Sequence, residues 1–318
     1  MSLLKISGFT WTHDPTIVKE NGRYYRFQTG PGLPVFVSDN LSHWEIAGRV
    51  FEKNPAWTSE KIPGSTDFWA PEIVRREKGW RVYYSVSTFG KNTSAIGLAV
   101  CPSLEDALSK KSGWTDLGPV IFSSPETDFN AIDPAVYSDS CGNDRLLFGS
   151  FWGGLHIVSL DENGFVKSGS EPRALASRIP YSAKIVGNKT DFGNPAVEAN
   201  PVEGGFVFFH GGFYYLFASH DFCCRGTASS YHIVVGRSQN PEGPFLDKDD
   251  VDMLEGGGSL LRDGFSFERW AGPGHNSVFQ DDDGKCYMVY HAYDRTDGGK
   301  PNLMIEEIFW ESGWPEFH

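Results

Sequence analysis

Residues 13–30 read HDPTIVKENGRYYRFQTG: an aspartate at the head of an apolar run, an Asn-Gly turn, and an aromatic strand running back. The Asn-Gly pair between two β-prone segments is a strong hairpin signal, because both residues tolerate the positive φ that a tight turn needs. The same phrase returns as APEIVRREKGWRVYYS from Ala70, IDPAVYSDSCGNDRLLFGS from Ile132, VEGGFVFFHGGFYYLFAS from Val202 and GHNSVFQDDDGKCYMVYHAY from Gly274. The glycines on which these copies align are Gly22, Gly79, Gly142, Gly211 and Gly284. A third apolar segment follows each hairpin: PVFVS at Pro34, AIGLAV at Ala95, LHIVSL at Leu155, YHIVVGRS at Tyr231 and NLMIEEIFW at Asn302. Repeats of about 55 to 75 residues, each a sheet of three or four strands, predict an all-β protein, a five-bladed β-propeller. One domain over 1–318 is the expected organisation.

In a propeller the first strand of each blade lines the axis, so residues at the strand heads converge on one mouth of the channel. Asp14, Glu203 and Asn276 stand eight residues before their glycine, and Asp133 stands nine before in a copy one residue longer. Copy two departs, with Pro71 at that position and Glu72 after it. A single Asp-Pro is explained by turn chemistry alone, since Asp readily starts a turn. Three carboxylates repeated at the strand heads, Asp14, Asp133 and Glu203, need another reason. Carboxylates gathered in one concave site suit glycoside hydrolysis, where a protonated acid serves the leaving oxygen and an ionised base serves water. Trp69, Phe89 and Trp152, near strand ends or loops, are candidate apolar faces for sugar rings, with ordinary core packing as the alternative for each.

Composition narrows the partner. The chain has 28 Lys and Arg against 41 Asp and Glu, a formal net charge of −13, so no basic stripe is available for phosphates and nucleic acid is not expected. No apolar run approaches the roughly 20 residues of a membrane span, and no membrane partner is expected. The opening MSLLKISGF is too weakly patterned for a signal peptide, which leaves a cytoplasmic protein or a secreted one whose leader has been removed. The five cysteines, Cys101, Cys141, Cys223, Cys224 and Cys286, lack zinc-site spacing and read as reduced structural thiols, with the redox state of the adjacent Cys223 and Cys224 open. DDDG at 281–284 lacks the spacing of a calcium-binding loop and reads as a solvated turn.

The sequence resembles glycoside hydrolase family 43, and within it the arabinanases. The resemblance runs nearly end to end, through HDP at 13–15, WAPE at 69–72, YYSVSTFGKNTSAIGLA at 83–99, NAIDP at 130–134, FGSFWGGL at 148–155, DFCCRG at 221–226, GPGHNS at 272–277 and GWP at 313–315. It implies an inverting hydrolase of α-1,5-linked arabinan or arabino-oligosaccharides. Endo action is the expectation; an exo-acting arabinofuranosidase or β-xylosidase on the same scaffold, or a non-catalytic sugar-binding propeller, are the alternatives. By the same resemblance Asp14 would be the general base, Asp133 the acid that orients and tunes, and Glu203 the general acid. His13, Asn130 and Ser150 in the same motifs would contact substrate with the three aromatics, and His275 would help hold a hydrated cation, calcium. The acid motif departs from the family pattern: VEANPVEGG offers both Glu198 and Glu203, and spacing back from Leu216 selects Glu203.

Overall fold

The computed structural model describes residues 3–111, 113–181, 195–265 and 267–318. Five antiparallel sheets follow one another along the chain. Blade one holds β2 (Thr16–Glu20), β3 (Arg23–Phe27), β4 (Pro34–Ser38) and β5 (His43–Arg49), with the two-residue β1 (Ser7–Gly8) parallel to β5. Blade two is β6 (Phe68–Arg76), β7 (Gly79–Val86), β8 (Ser94–Cys101) and β9 (Thr115–Ser123). Blade three is β10 (Ala135–Ser138), β11 (Asp144–Phe148), β12 (Leu155–Ser159) and β13 (Arg173–Ala176). Blade four is β14 (Val202–His210), β15 (Phe213–His220), β16 (His232–Ser238) and β17 (Ser259–Arg262). Blade five is β18 (Trp270–Gln280), β19 (Cys286–Asp294), β20 (Lys300–Glu311) and β21 (Trp314–Glu316). The first strands contact one another in the cyclic order β2, β6, β10, β14, β18 and back to β2, which makes the arrangement a five-bladed propeller.

The second strand of each blade explains why the apolar runs do not alternate with polar residues. Successive side chains on a strand point to opposite faces, and here both faces are covered by a neighbouring blade. On β7, Val82 and Tyr84 enter the core shared with blade one while Tyr83 enters the core shared with blade three. On β15, Leu216 turns towards blade three, and Tyr215 and Phe217 turn towards blade five. On β19, Val289 packs with Ile17 and Phe36 of blade one, and Met288 and Tyr290 pack with blade four. The core is therefore five interblade slabs, in which each fully buried large side chain contributes about 1.5–3 kcal/mol.

The N-terminal segment joins the first and last blades. Leu4 donates its N–H to the Ile305 carbonyl at 2.9 Å and Leu303 donates to the Thr10 carbonyl at 2.8 Å, while Ser7 and Gly8 pair with His43 and Trp44. The chain then enters β2, so this closure also positions Trp11 and His13 at the channel mouth.

Candidate active site

The strand heads share one distortion. Asp14, Ala70, Asp133, Gly204 and His275 hold φ of 51°, 43°, 58°, 57° and 51°, in the left-handed region. Pairing slips at the same place, between Trp69 and Glu72, Glu203 and Phe206, and Gly274 and Ser277. Such bulges re-aim side chains, here towards the axis, at a cost of about 1–2 kcal/mol for each non-glycine residue in this region. The preceding blade offsets that cost by accepting the kinked residue's N–H. Ala70 donates to Thr29 Oγ1 at 2.8 Å, Asp133 to Ser85 Oγ at 2.9 Å, His275 to Ser219 Oγ at 2.7 Å and Asp14 to His291 Nδ1 at 3.2 Å. The fourth blade differs: Gly204 donates to the Asp133 carboxylate at 3.2 Å. Counting back from the turn glycines put Glu203 and Asn276 in phase with Asp14; the kinked residues are in fact Gly204 and His275, because the bulges make that count uneven.

The three carboxyl groups occupy different electrostatic environments. Asp14 Oδ1 faces His13 Nδ1 at 2.8 Å and His275 Nδ1 at 3.1 Å, and its Oδ2 accepts the Thr29 hydroxyl at 2.5 Å. Burial opposes its charge, but the neighbouring His13 and His275 and the hydrogen bond from His13 prevail, holding Asp14 below the usual carboxylate range. Asp133 is the reverse case: burial, then the charges of Glu203 and Asp14, push it well above the usual range against the Gly204 N–H. Glu203 lies between them, pushed up to about 6 by burial while hydrogen bonds from Ser150 and Tyr231 oppose the rise. Ser150 donates to Glu203 Oε2 at 2.5 Å and the Tyr231 hydroxyl donates to Oε1. His13 is raised: burial lowers it, but the charge and hydrogen bond of Asp14 outweigh that.

These groups open into one cavity of about 610 Å³, and every residue singled out above for the site lines it: His13, Asp14, Trp69, Phe89, Asn130, Asp133, Ser150, Trp152, Glu203 and His275. Glu198, the competing acid, closes a short helix at Pro195–Glu198 and is not among the lining residues. Phe89 is 74% exposed and stands at the rim, whereas Trp152 is buried with Phe151 and Val197. Asn130 is held by the Ser94 hydroxyl at 2.7 Å. Sequence reasoning missed Trp11, Thr29, Tyr231 and Arg225, which also line the cavity. WTHDP at 11–15 could have flagged Trp11; Tyr231 immediately precedes β16 and gave no signal.

Among the described residues, Oδ1 and Nδ2 of Asn276 and Nε2 of His291 are buried without a hydrogen-bond partner. Orphaned polar atoms beside His275 suit a hydrated ion, whose waters would satisfy them. Two tighter groups, His13 with Asp14 and His291, and His13 with Cys223 and Cys224, bring ligand atoms within 4.8 Å of one another, but those atoms contact each other. The pairing of a low and a raised carboxyl across an open cavity can protonate one atom while deprotonating another.

The family model for glycosyl hydrolases family 43 matches residues 8–315. An extracellular exo-α-(1→5)-L-arabinofuranosidase of Cellvibrio japonicus is 41% identical over 307 residues, 96% of this chain and 85% of that protein. An extracellular endo-α-(1→5)-L-arabinanase of Bacillus subtilis is 37% identical over 315 residues, 96% of this chain and 87% of that protein. The solved Cellvibrio cellulosa α-L-arabinanase complexed with arabinohexaose superposes with a TM-score of 0.90 at 38% identity, covering 97% of this chain and 95% of that one. An exo-1,5-α-L-arabinanase from a bovine ruminal metagenomic library gives a TM-score of 0.88 at 35% identity, covering 99% of both chains. By its sequence and by its fold, this chain belongs to glycosyl hydrolases family 43.

Proposed function

We propose that this enzyme hydrolyses α-1,5-L-arabinofuranosidic bonds in arabinan, within the chain, with inversion at the anomeric carbon, and that residues 1–318 act as one catalytic unit. The observation that carries the reading is the split between Asp14, held ionised by two histidines, and Glu203, pushed up to about 6, at the wall of one cavity. Asp14 takes a proton from the attacking water, and His13 and Thr29 fix the carboxylate that does so. Glu203 gives its proton to the departing oxygen, so that no alkoxide has to leave. Asp133, whose carboxylate accepts the Gly204 N–H, orients the backbone beside Glu203, and its charge state adjusts the acid. Phe89, Trp69 and Trp11 offer apolar surface along the cavity for sugar rings.

Calcium, with His275 and Asn276 as the residues that would hold its hydration shell, would supply positive charge near the carboxylates. The names of the two extracellular relatives support a secreted enzyme. Exo action is the second reading, favoured by the names of the Cellvibrio japonicus relative and the ruminal structure. Chromatography of products from debranched arabinan decides between them. A ladder of short oligosaccharides is expected at early times; a single small product from the start replaces endo with exo, and faster action on xylan overturns the substrate.

A further inference from the structure

Cys223 and Cys224 stand in the wall of the same cavity, and the mechanism uses neither. Adjacent side chains in extended backbone point apart. Here Cys224 takes a left-handed φ of 63°, and the two Sγ atoms lie 2.7 Å from each other. Cys224 is exposed, and its Sγ is 3.8 Å from His13 Nε2. Cys223 is half-buried, with its Sγ 3.7 Å from Glu203 Oε1. An accessible thiol beside a cationic imidazole, with a second thiol in contact, is the arrangement that supports reversible oxidation.

We propose that Cys223 and Cys224 are a site of reversible oxidation that governs the catalytic cavity, with Cys224 the sulfur that attacks a hydroperoxide and Cys223 the resolving thiol. The Cys224 thiolate attacks one peroxide oxygen; the O–O bond breaks, hydroxide leaves, and the sulfur is oxidised to a sulfenic acid as the peroxide is reduced. Cys223 sulfur then attacks the Cys224 sulfur; the S–O bond breaks, and water departs carrying the Cys223 proton. A dithiol reverses the couple. The microenvironment agrees with the order of events: the Cys223 hydrogen bond and His13 pull the Cys224 thiol down to about 5, whereas the contact with Cys224 and burial push Cys223 up.

Closure of this ring reaches the base. Cys224 donates its N–H to the Tyr293 hydroxyl at 2.9 Å, that hydroxyl lies 2.9 Å from His13 Nε2, and His13 holds Asp14 at 2.8 Å. Reorienting the Cys224 backbone therefore moves the group that positions Asp14, and small misplacements of a reacting group cost about tenfold or more in rate.

The test is intact-protein and peptide mass spectrometry after a measured dose of hydrogen peroxide, with alkylation of remaining thiols and an activity assay on the same samples. The peptide carrying both residues is expected to lose two hydrogen masses and resist alkylation, while the buried Cys101 and Cys286 stay reduced. Hydrolysis is expected to fall roughly tenfold and return with dithiothreitol. Cys223→Ser is expected to leave a Cys224 sulfenic acid that dimedone traps, and Cys224→Ser no adduct. Two alkylatable thiols remaining on the peptide that carries Cys223 and Cys224 after oxidation, a dimedone adduct on Cys223 rather than Cys224, or full activity in the oxidised protein overturns the proposal. The mass readouts do not depend on the arabinan reading, so reduced protein that cleaves no arabinan counts against that reading alone.

Discussion

Ser150 donates to Glu203 Oε2 at 2.5 Å, where hydroxyls at the matching places in other blades, Ser85 and Ser219, accept a backbone N–H. One repeat unit has thus been diverted from holding the ring together to tuning a carboxyl, and Gly204 turns to Asp133 for its acceptor. Because Ser150 stabilises the ionised form of Glu203, Ser150→Ala should raise the acid's pKa above about 6. A hydrogen bond to a charged group contributes about 1.5–3 kcal/mol, so the alkaline limb of kcat/KM should move up by roughly one pH unit. A pH–rate profile of the variant checks this; an unmoved or lowered limb would show that Ser150 does not set the acid.

The roles of the carboxylates separate with the leaving group. Glu203→Gln should nearly abolish cleavage of arabinan yet retain action on nitrophenyl arabinofuranosides, whose leaving group departs without a proton. Asp14→Asn should lose both by about 10²-fold or more, since water still needs its base. Glu198→Gln should resemble the parent protein. Steady-state kinetics on the two substrates suffice, and an active Glu203→Gln beside an inactive Glu198→Gln would reverse the assignment.

The hairpins and their five-fold recurrence were legible because turn chemistry and apolar strand composition are local. Asn21-Gly22 and Gly211-Gly212 both hold the positive φ values that their identities allow. Gly79, by contrast, opens β7 rather than sitting in the loop between Arg76 and Gly79, so its spacing misled the phase. Glu203 was found from its distance to Leu216, although the kinked residue of blade four is Gly204. Ring closure by residues 3–11 joins the two ends of the chain, and Tyr231 reaches Glu203 within blade four from 28 residues on; both contacts are distant in sequence, and no local pattern encodes them.

Removal of the expected cation should act through His275 and Asn276. Chelation is expected to lower activity and the unfolding temperature together, with recovery on adding calcium, because the buried amide of Asn276 would lose the waters that satisfy it. Asn276→Leu should make the unfolding temperature insensitive to chelator. Full activity and unchanged thermal unfolding after exhaustive stripping of the parent protein would refute the ion's role.

Glu72 makes the last prediction, on stability rather than rate. It occupies the head of blade two, buried, with Thr16 Oγ1 donating to Oε2 at 3.2 Å, and burial pushes its carboxyl up to about 8 against that bond. A folded-state pKa above the unfolded value means the fold prefers the protonated form. The contribution is fully present below the unfolded value of about 4.5 and is lost as pH rises through about 8. Glu203, raised to about 6, adds a loss of the same sign over the lower part of that range. Asp14, held low, loses its contribution only in acid. Between pH 5 and 8 the raised Asp133 and His13 and the lowered His220, His275 and His291 titrate as well, so the difference between the parent and a Glu72 variant, not the parent's slope, isolates Glu72. Across that range Glu72 alone should cost up to about 1.4 kcal/mol per pH unit. Glu72→Gln keeps an acceptor for Thr16 without a titratable proton, so its stability should fall less steeply than the parent's. Urea unfolding of both proteins at several pH values measures this directly. Parallel curves would mean that Glu72 keeps the same charge in the folded and unfolded chains.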